Sequence, residues 1–305
     1  MKIASVISFC TNDYRYLKGC IEGIAPISSQ IIIPVCDHFF DGTPENFSLL
    51  EKIYAENPHC QFIEFAFDSE LLYGTPIKRL PQSPDWGVHW HNTSRLVSYY
   101  FLNQEIDYVL FCDVDELFDK EKLALWFSQF NIEEYDALRF STYWYFREAC
   151  FQATTYPDGP LLVKKERLTS ELLLNEDERM GMFLRIQGKK QRIVPGLDGK
   201  PMVHHYSWVR TKAEMLKKVR SWAHHWERNW EELIEEEYSR DFNGTDFVRK
   251  YEYQKVKPFL SSQEEERRPF SVISLEQHRQ NIQKFPHVAK VDAQEISRKE
   301  IFRFL

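Results

Sequence analysis

The chain contains no C-x-x-C pair, no apolar run of membrane-spanning length, no excess of basic residues, no internal repeat and no low-complexity tract. Each absence removes a class of protein. The six cysteines (Cys10, Cys20, Cys36, Cys60, Cys112 and Cys150) lie far apart, so neither a zinc site nor a disulfide framework is expected, and a reducing cytosol fits. Cys10, Cys36 and Cys112 sit in apolar strand-like runs, where a free thiol behaves as a small hydrophobe. No transmembrane segment is expected. The stretch from Met1 to Cys10 runs straight into Thr-Asn-Asp and reads as a strand, not as a signal peptide. With 39 basic and 46 acidic residues the formal charge is −7, which argues against nucleic acid held on a basic face.

What is present suits a globular chain with a sizeable core. Hydrophobic residues make up 43% and charged residues 28% of 305 positions, enough for one large α/β domain with additions or two modest ones. Aromatic residues reach 15%. Large aromatics fill cores more often than they line ligand sites.

One stretch organises the rest: Asp107-Tyr-Val-Leu-Phe-Cys-Asp113-Val-Asp115-Glu116-Leu-Phe-Asp119. The run from Tyr108 to Cys112 has the length of a buried strand and is too short for a buried helix. It ends in a cluster of carboxylates. Ligands of open α/β sheets bind beyond the carboxyl ends of the strands, where acids escape unpaired burial. Read as extended chain, Asp113 and Asp115 point to the same side, and two hard oxygen ligands so placed suit Mg²⁺ or Mn²⁺. Asp119 has a plainer role, as cap of a helix from Glu121 to Phe130.

Along the chain, Ile3 to Phe9 reads as the first strand. A helix follows, capped by Asn12 or Asp13 and carrying Leu17, Cys20, Ile21 and Ile24 on its apolar face, with Pro26 as its stop. Ile31 to Cys36 is the second strand, in which Pro34 marks an irregularity or a position needing no donor. Thr43 as cap with Pro44 at the first helical position opens a second helix through Phe47, Leu50 and Ile53. Gln61 to Phe67 is the third strand, closed by Asp68. Asn92 or Thr93 caps a helix with Leu96, Val97, Tyr100 and Phe101, which leads into the acidic strand. Strand–helix alternation of this kind predicts a parallel sheet with right-handed crossovers.

Further on, Ala137 to Phe146 and Leu161 to Val163 read as strands, and residues 164–200 as loop with some helix. Met202 to Trp208 is a late strand in which His204 and His205 face opposite ways. Thr211-Lys-Ala-Glu214 is a capping box. It opens a long helix with Met215, Val219, Trp222, Trp226, Trp230 and Leu233 in one stripe, expected to be core or subunit contact.

Acids thus close three strands: Asp37 with Asp41, Asp68, and the Asp113/Asp115/Glu116 group. On these residues the chain resembles nucleotide-sugar-dependent glycosyltransferases of the GT-A fold, most closely the large family two. The resemblance covers about residues 1–120 by strand order, and again His205-Tyr-Ser-Trp-Val-Arg210. It implies a Rossmann-like, mostly parallel sheet flanked by helices over residues 1–210. Within it, the nucleotide and metal half is about 1–120 and the acceptor half about 121–210, with a helical C-terminal extension over 211–305.

It also implies that Asp113-Val-Asp115 is the D-x-D motif holding Mn²⁺ or Mg²⁺, with His205 as a downstream metal ligand. Donor contacts are implied at Thr11, Asp37, Asp41, Asn92, Arg95 and Asp113. Asn92 and Arg95 come from His91-Asn-Thr-Ser-Arg95, which departs from the small residue, Arg and Asn usual there. The best match to the acidic pair that supplies the catalytic base is Glu176-Asp177, which lacks the glycines that commonly precede it.

The function expected is metal-dependent transfer of a sugar from a nucleotide-sugar donor, UDP-sugar favoured, to an acceptor hydroxyl in surface polysaccharide or glycoconjugate synthesis. The acceptor would be a carbohydrate or lipid-linked molecule. The expected location is the cytosol or its membrane face, and an oligomer contact through the C-terminal helices is the default. The ion would stabilise negative charge on the departing diphosphate. Removing a metal ligand should then cost rate more than stability. One alternative is a nucleotidyltransferase, but that wants a Gly-rich, basic loop after the first strand, where this chain has Phe9-Cys-Thr-Asn-Asp-Tyr. The other is a non-catalytic GT-A-like module docking a partner on its Trp-striped helix, which has no need of a charged strand lip.

Overall fold

The computed structural model of the chain describes residues 1–66, 86–174, 178–222, 224–225, 227–260 and 272–291. Its elements are β1 (Ile3–Ser8), α1 (Tyr14–Ile24), β2 (Gln30–Cys36), α2 (Phe47–Glu56), β3 (Gln61–Phe65), α3 (Trp86–Tyr99), β4 (Tyr108–Asp113), β5 (Glu116–Phe118) and α4 (Lys120–Gln129). They continue as β6 (Ala137–Phe146), β7 (Glu148–Ala153), β8 (Asp158–Lys164), α5 (Ser170–Leu173), α6 (Glu178–Arg185), β9 (Lys190–Val194) and β10 (Val203–Trp208). The last are α7 (Lys212–Ser221), α8 (Trp230–Glu237), β11 (Tyr253–Lys255), α9 (Leu275–Asn281) and β12 (Val288–Val291).

The sheet runs β11-β7-β6-β8-β4-β1-β2-β3-β12. β1, β2, β3, β4 and β12 pair in parallel, and β8 joins β4 and β6 antiparallel. This is the α/β class expected from the sequence. Burial explains the apolar runs: Ile32, Ile33 and Val35 of β2 and Val109, Leu110 and Phe111 of β4 are covered on both faces, as parallel strands flanked by helices must be. The cysteines are free.

One detail of register opens the site. β2 pairs with β1 only from Gln30 to Ile32, while Pro34, Val35 and Cys36 pair with β3. Pro34 therefore sits where no donor to β1 is needed. Beyond it β1 stays with β4 as far as Ser8 and Asp113. The sheet parts between β1 and β2 at their carboxyl ends, and a cleft forms there.

Four expectations need correction. The cap of α2 is Asn46, whose side chain accepts from the Leu49 N–H; Thr43 instead donates its hydroxyl and its N–H to Asp41 in a turn. α3 begins at Trp86, so Asn92 and Thr93 lie inside it. Val114 and Asp115 form a turn between β4 and β5 rather than extended chain. The Trp-striped helix is two helices: Trp222 is extended (φ −102°, ψ 169°) and Asn229 caps α8. The capping box at Thr211 and Glu214 is formed, and Asp119 caps α4 through the Lys122 N–H. Trp144, Trp208, Met215, Val219 and Trp230 pack as a separate core under the far wall of the cleft.

Candidate functional site

The cleft encloses about 1180 Å³ and is bordered by the ends of β1, β2 and β4, by α6, and by residues 205–251. Asp113 closes β4. Its Oδ2 accepts from Arg179 Nη2 at 2.8 Å, and His91 Nε2 stands 3.6 Å from its Oδ1. Burial opposes ionisation of this carboxyl, but Arg179 and His91 outweigh burial and hold it well below its ordinary range.

Asp115, in the turn, is 4% exposed. Lys218 Nζ lies 3.2 Å and Arg210 Nη2 3.8 Å from its Oδ2, and His205 Nε2 lies 3.4 Å from its Oδ1. Burial again works against the charge, and Lys218, His205 and Arg210 reverse it, so this carboxyl is also held low. The same contact raises His205 against its own burial. Oδ1 of Asp113 and Oδ1 of Asp115 are both buried without a hydrogen-bond donor among the described residues.

Glu116 lies behind them with no exposure. Arg179 holds it through two nitrogens, Nη1 at 2.5 Å and Nη2 at 3.0 Å, and so bridges it to Asp113. The Asp113 N–H also donates to Glu116 at 2.8 Å. Gly159 of β8 makes the room: a Cβ there would stand 2.9 Å from Glu116 Oε1 and 2.5 Å from Thr142.

Adjacent residues of β10 divide as strand geometry requires. His205 faces the acids, with Trp144 edge-on at 4.7 Å. His204 turns away, accepts or donates with the Tyr145 hydroxyl at 2.7 Å and stacks on Phe259 at 3.8 Å. Burial, with Lys122 adding to it, pushes His204 down to about 3, so it is neutral.

The remaining sequence-derived candidates are spread more widely. Thr11 gives both its N–H and its hydroxyl to buried Glu45, whose carboxyl burial raises to about 7 against the pull of those donors. Asp37 ends β2, with His38 Nδ1 at 2.7 Å from its Oδ1 and Arg279 Nη2 at 3.9 Å from its Oδ2. Asp41 is exposed and spent on its own turn. Asn92 and Arg95 are buried and bonded to each other at 2.5 Å. Glu176, Asp177 and Asp68 lie outside the described residues.

Sequence reasoning missed Arg179, and Glu178 beside it. Glu178 receives His91 Nδ1 at 3.1 Å, His224 Nε2 at 3.4 Å and Arg95 Nη2 at 3.7 Å, so His91 stands between Asp113 and Glu178. Nothing local could have flagged Arg179, whose partners lie more than sixty residues upstream. Three other basic residues of the same segment do not border the cleft. Lys189 pairs with Glu134, Arg192 pairs with Asp158, and Arg185 is exposed.

Among the described residues no three carboxylate, imidazole or thiol groups converge as a closed metal site. The donor set nevertheless fits a hard divalent cation. Half-buried Asp113 and buried Asp115 each keep one oxygen that makes no hydrogen bond and faces only an imidazole, and an open site of one or two carboxylates leaves coordination for phosphate oxygens.

No protein-family model matches the chain, and no curated protein matches it. Among solved structures it is similar to 4-diphosphocytidyl-2C-methyl-D-erythritol synthase from Anaerococcus prevotii, at 11% identity and a TM-score of 0.40, over 71% of this chain and 95% of that one. It is similar to the glycosyltransferase GlyE of Streptococcus pneumoniae at 12% identity and a TM-score of 0.36, over 78% of this chain. A third is S. aureus TarS 1–349, at 14% identity and a TM-score of 0.38, over 67% of this chain. The match spans 64% of GlyE and 60% of TarS 1–349, less than two thirds of either. At these TM-scores the likenesses carry no argument about fold family, activity or substrate.

Proposed function

We propose that the chain is a metal-dependent glycosyltransferase, moving a sugar from a nucleotide-sugar donor to an acceptor hydroxyl. One observation carries this reading: at the lip of the cleft, Asp113 and Asp115 are each tied at Oδ2 to Arg179 or Lys218, while each Oδ1 faces an imidazole, His91 at 3.6 Å or His205 at 3.4 Å, and makes no hydrogen bond. An oxygen met only by an imidazole at that distance is open to a stronger partner, such as a hard cation.

Asp113 and Asp115 would hold Mn²⁺ or Mg²⁺, with His205 alongside, and the ion would supply Lewis-acid stabilisation of charge on the departing diphosphate. Arg179 and Lys218 fix the two carboxylates from behind, at Oδ2. Such support restrains the acids at Oδ2 and leaves at Oδ1 only the His91 and His205 imidazoles, which the ion would have to displace or share. Asp37, just after β2, is the proposed donor contact on the nucleotide side, and Thr11, whose N–H and hydroxyl are held by Glu45, would act through that carboxylate, with Asn92 and Arg95 supporting His91 from α3. Asp177, with Glu176, is the proposed base that takes the acceptor proton.

Calorimetric titration with UDP and other nucleoside diphosphates, with and without Mn²⁺, tests the metal assignment. Metal-dependent binding is expected, and binding indifferent to the metal overturns it. A panel of nucleotide sugars then tests the reaction. Release of nucleoside diphosphate is expected, whereas release of inorganic diphosphate from a nucleoside triphosphate would mark nucleotidyl transfer. Neither product would mark a binding module.

A further inference from the structure

Past the carboxylate corner the cleft continues along a wall of aromatic and basic side chains from residues 205–251. Trp222 meets Trp208, Trp230 and His224 edge-on, with centroids 5.5, 5.3 and 5.2 Å away. Its indole N–H is buried and has no hydrogen-bond partner among the described residues.

Arg249 and Tyr251 reach the cleft from a loop built on Asp246. This carboxylate, 1% exposed, accepts from the N–H groups of Arg249 (2.5 Å), Lys250 (3.3 Å) and Tyr251 (2.9 Å) and from the Tyr253 hydroxyl (3.0 Å). Lys250 takes a φ of +61° to permit that wrapping. A loop fixed in this way presents its side chains with little left to order on binding. Arg228 lies over the Trp230 ring at 5.2 Å and gives Nη1 to the carbonyls of Phe247 and Val248.

The charge balance of this wall is uneven. Its acids are matched: Glu227 by His224, Asp158 by Arg139 and Arg192, Glu178 by His91, His224 and Arg95. Arg228 and Arg249 line the same cleft and are exposed, and neither has a carboxylate partner among the described residues. In a chain of net charge −7, surplus guanidinium groups in a concave aromatic site point to an anion. Their planar fork matches carboxylate and phosphate oxygens, and the indole and phenol rings beside them suit the apolar face of a sugar.

We propose that this wall is an acceptor subsite for an anionic carbohydrate. Arg249 and Arg228 engage its carboxylate or phosphate, and Trp222 and Tyr251 lie against the sugar, with the Trp222 N–H donating to one of its oxygens. The acceptor role rests on the proposed glycosyl transfer, but binding of the anion does not require turnover.

The test titrates the full chain with a galacturonic acid trisaccharide, a glycerol phosphate oligomer and neutral maltotriose, read by tryptophan fluorescence. At least one anionic probe should bind about tenfold tighter than maltotriose, the gain of one charge-assisted pair, and the two arms distinguish carboxylate from phosphate. Arg249→Gln should remove about that factor, Arg249→Lys should recover part of it, and Arg228→Gln serves as an independent second variant. Metal-dependent UDP binding should be unchanged in all three. Equal binding of neutral and anionic probes overturns the proposal. So does failure of both anionic probes to bind, or wild-type affinity in the two Gln variants. A wild type that binds an anionic probe but no nucleotide would instead overturn the glycosyltransferase reading and leave the subsite standing.

Discussion

At the scale of single residues, the two acids of the motif differ in what else they support. Asp113 shares Arg179 with Glu116, so Asp113→Asn leaves the guanidinium still paired. Asp115 faces Lys218, Arg210 and His205 together; Arg210 also pairs with Asp13 and His205 with Glu116, but Lys218 has no other carboxylate among the described residues. The sequence expectation that losing a metal ligand costs rate more than stability therefore suits Asp113 better than Asp115. Asp115→Asn should lower nucleotide affinity and turnover and also destabilise by about 3 kcal/mol, since breaking a buried pair strands Lys218. Its depressed carboxyl contributes stability present above the ordinary value of 3.8 and lost as pH falls through the folded value. Urea melts of both variants across acid pH check this, and equal stability losses would refute the difference. Arg179→Lys should fail to restore what Arg179→Ala loses, about 3–5 kcal/mol in urea melts, because one ammonium cannot replace a fork spanning two carboxylates. His205→Ala should weaken the metal response while His204→Ala, which removes one of the two partners of the Tyr145 hydroxyl among the described residues, should cost stability and leave that response intact.

At the scale of elements, the informative piece is the segment from α9 to β12, where the sequence offered no chemistry. β12 adds to the β3 edge in parallel register, Val288 opposite Phe62 through Val291 opposite Phe65. Its anchor is His278, which is fully buried. Nε2 lies 2.6 Å from Glu64 and Nδ1 3.1 Å from Glu51, with Phe47 stacked at 4.8 Å and the Tyr54 hydroxyl also on Glu64. Two carboxylates on the two ring nitrogens favour the imidazolium. Burial alone would lower His278, but the Glu64 and Glu51 contacts win and raise it. A raised histidine gives stability that is complete below the ordinary value of 6.5 and lost as pH rises through the folded value. The melting difference between wild type and His278→Gln should then be largest in mild acid and shrink toward alkaline pH. A pH-independent difference would mean that the ring is neutral.

Much of this architecture was legible. The parallel strands announce themselves as apolar runs because they are buried on both faces, and the acids at their ends stand out against those runs. β12 was not legible, since four residues carry no pattern and only the β3 edge makes them a strand. The break between α7 and α8 was hidden by tryptophans recurring at helical spacing through it, although Asn229 as cap was there to be read. Arg179 was hidden because its meaning depends on β4, which no local spacing reveals.

At the scale of the molecule, the cleft joins parts that otherwise belong to different cores. Residues such as Leu110, Cys112 and Val114 pack on one face of the sheet, Val109 and Phe111 on the other, and the Trp208 cluster stands apart. The charged network crosses between them: Arg179 on α6, Lys218 on α7 and Arg210 before it all converge on the β4–β5 turn. A ligand seated on Asp113 and Asp115 would therefore tie several walls to one another and stabilise the whole chain rather than a single loop. Stabilisation by a ligand at a hundred times its Kd is about 2.7 kcal/mol, which for a chain of this size is a rise of roughly 5 °C in Tm. Thermal melts with saturating UDP should show that rise with Mn²⁺ and lose most of it with a chelator. Asp113→Asn should abolish the metal-dependent part while keeping a ligand-free Tm near that of wild type. A full shift in the presence of chelator would assign nucleotide binding to Arg179, Lys218 and Arg210 alone, and would remove the ion from the proposed chemistry.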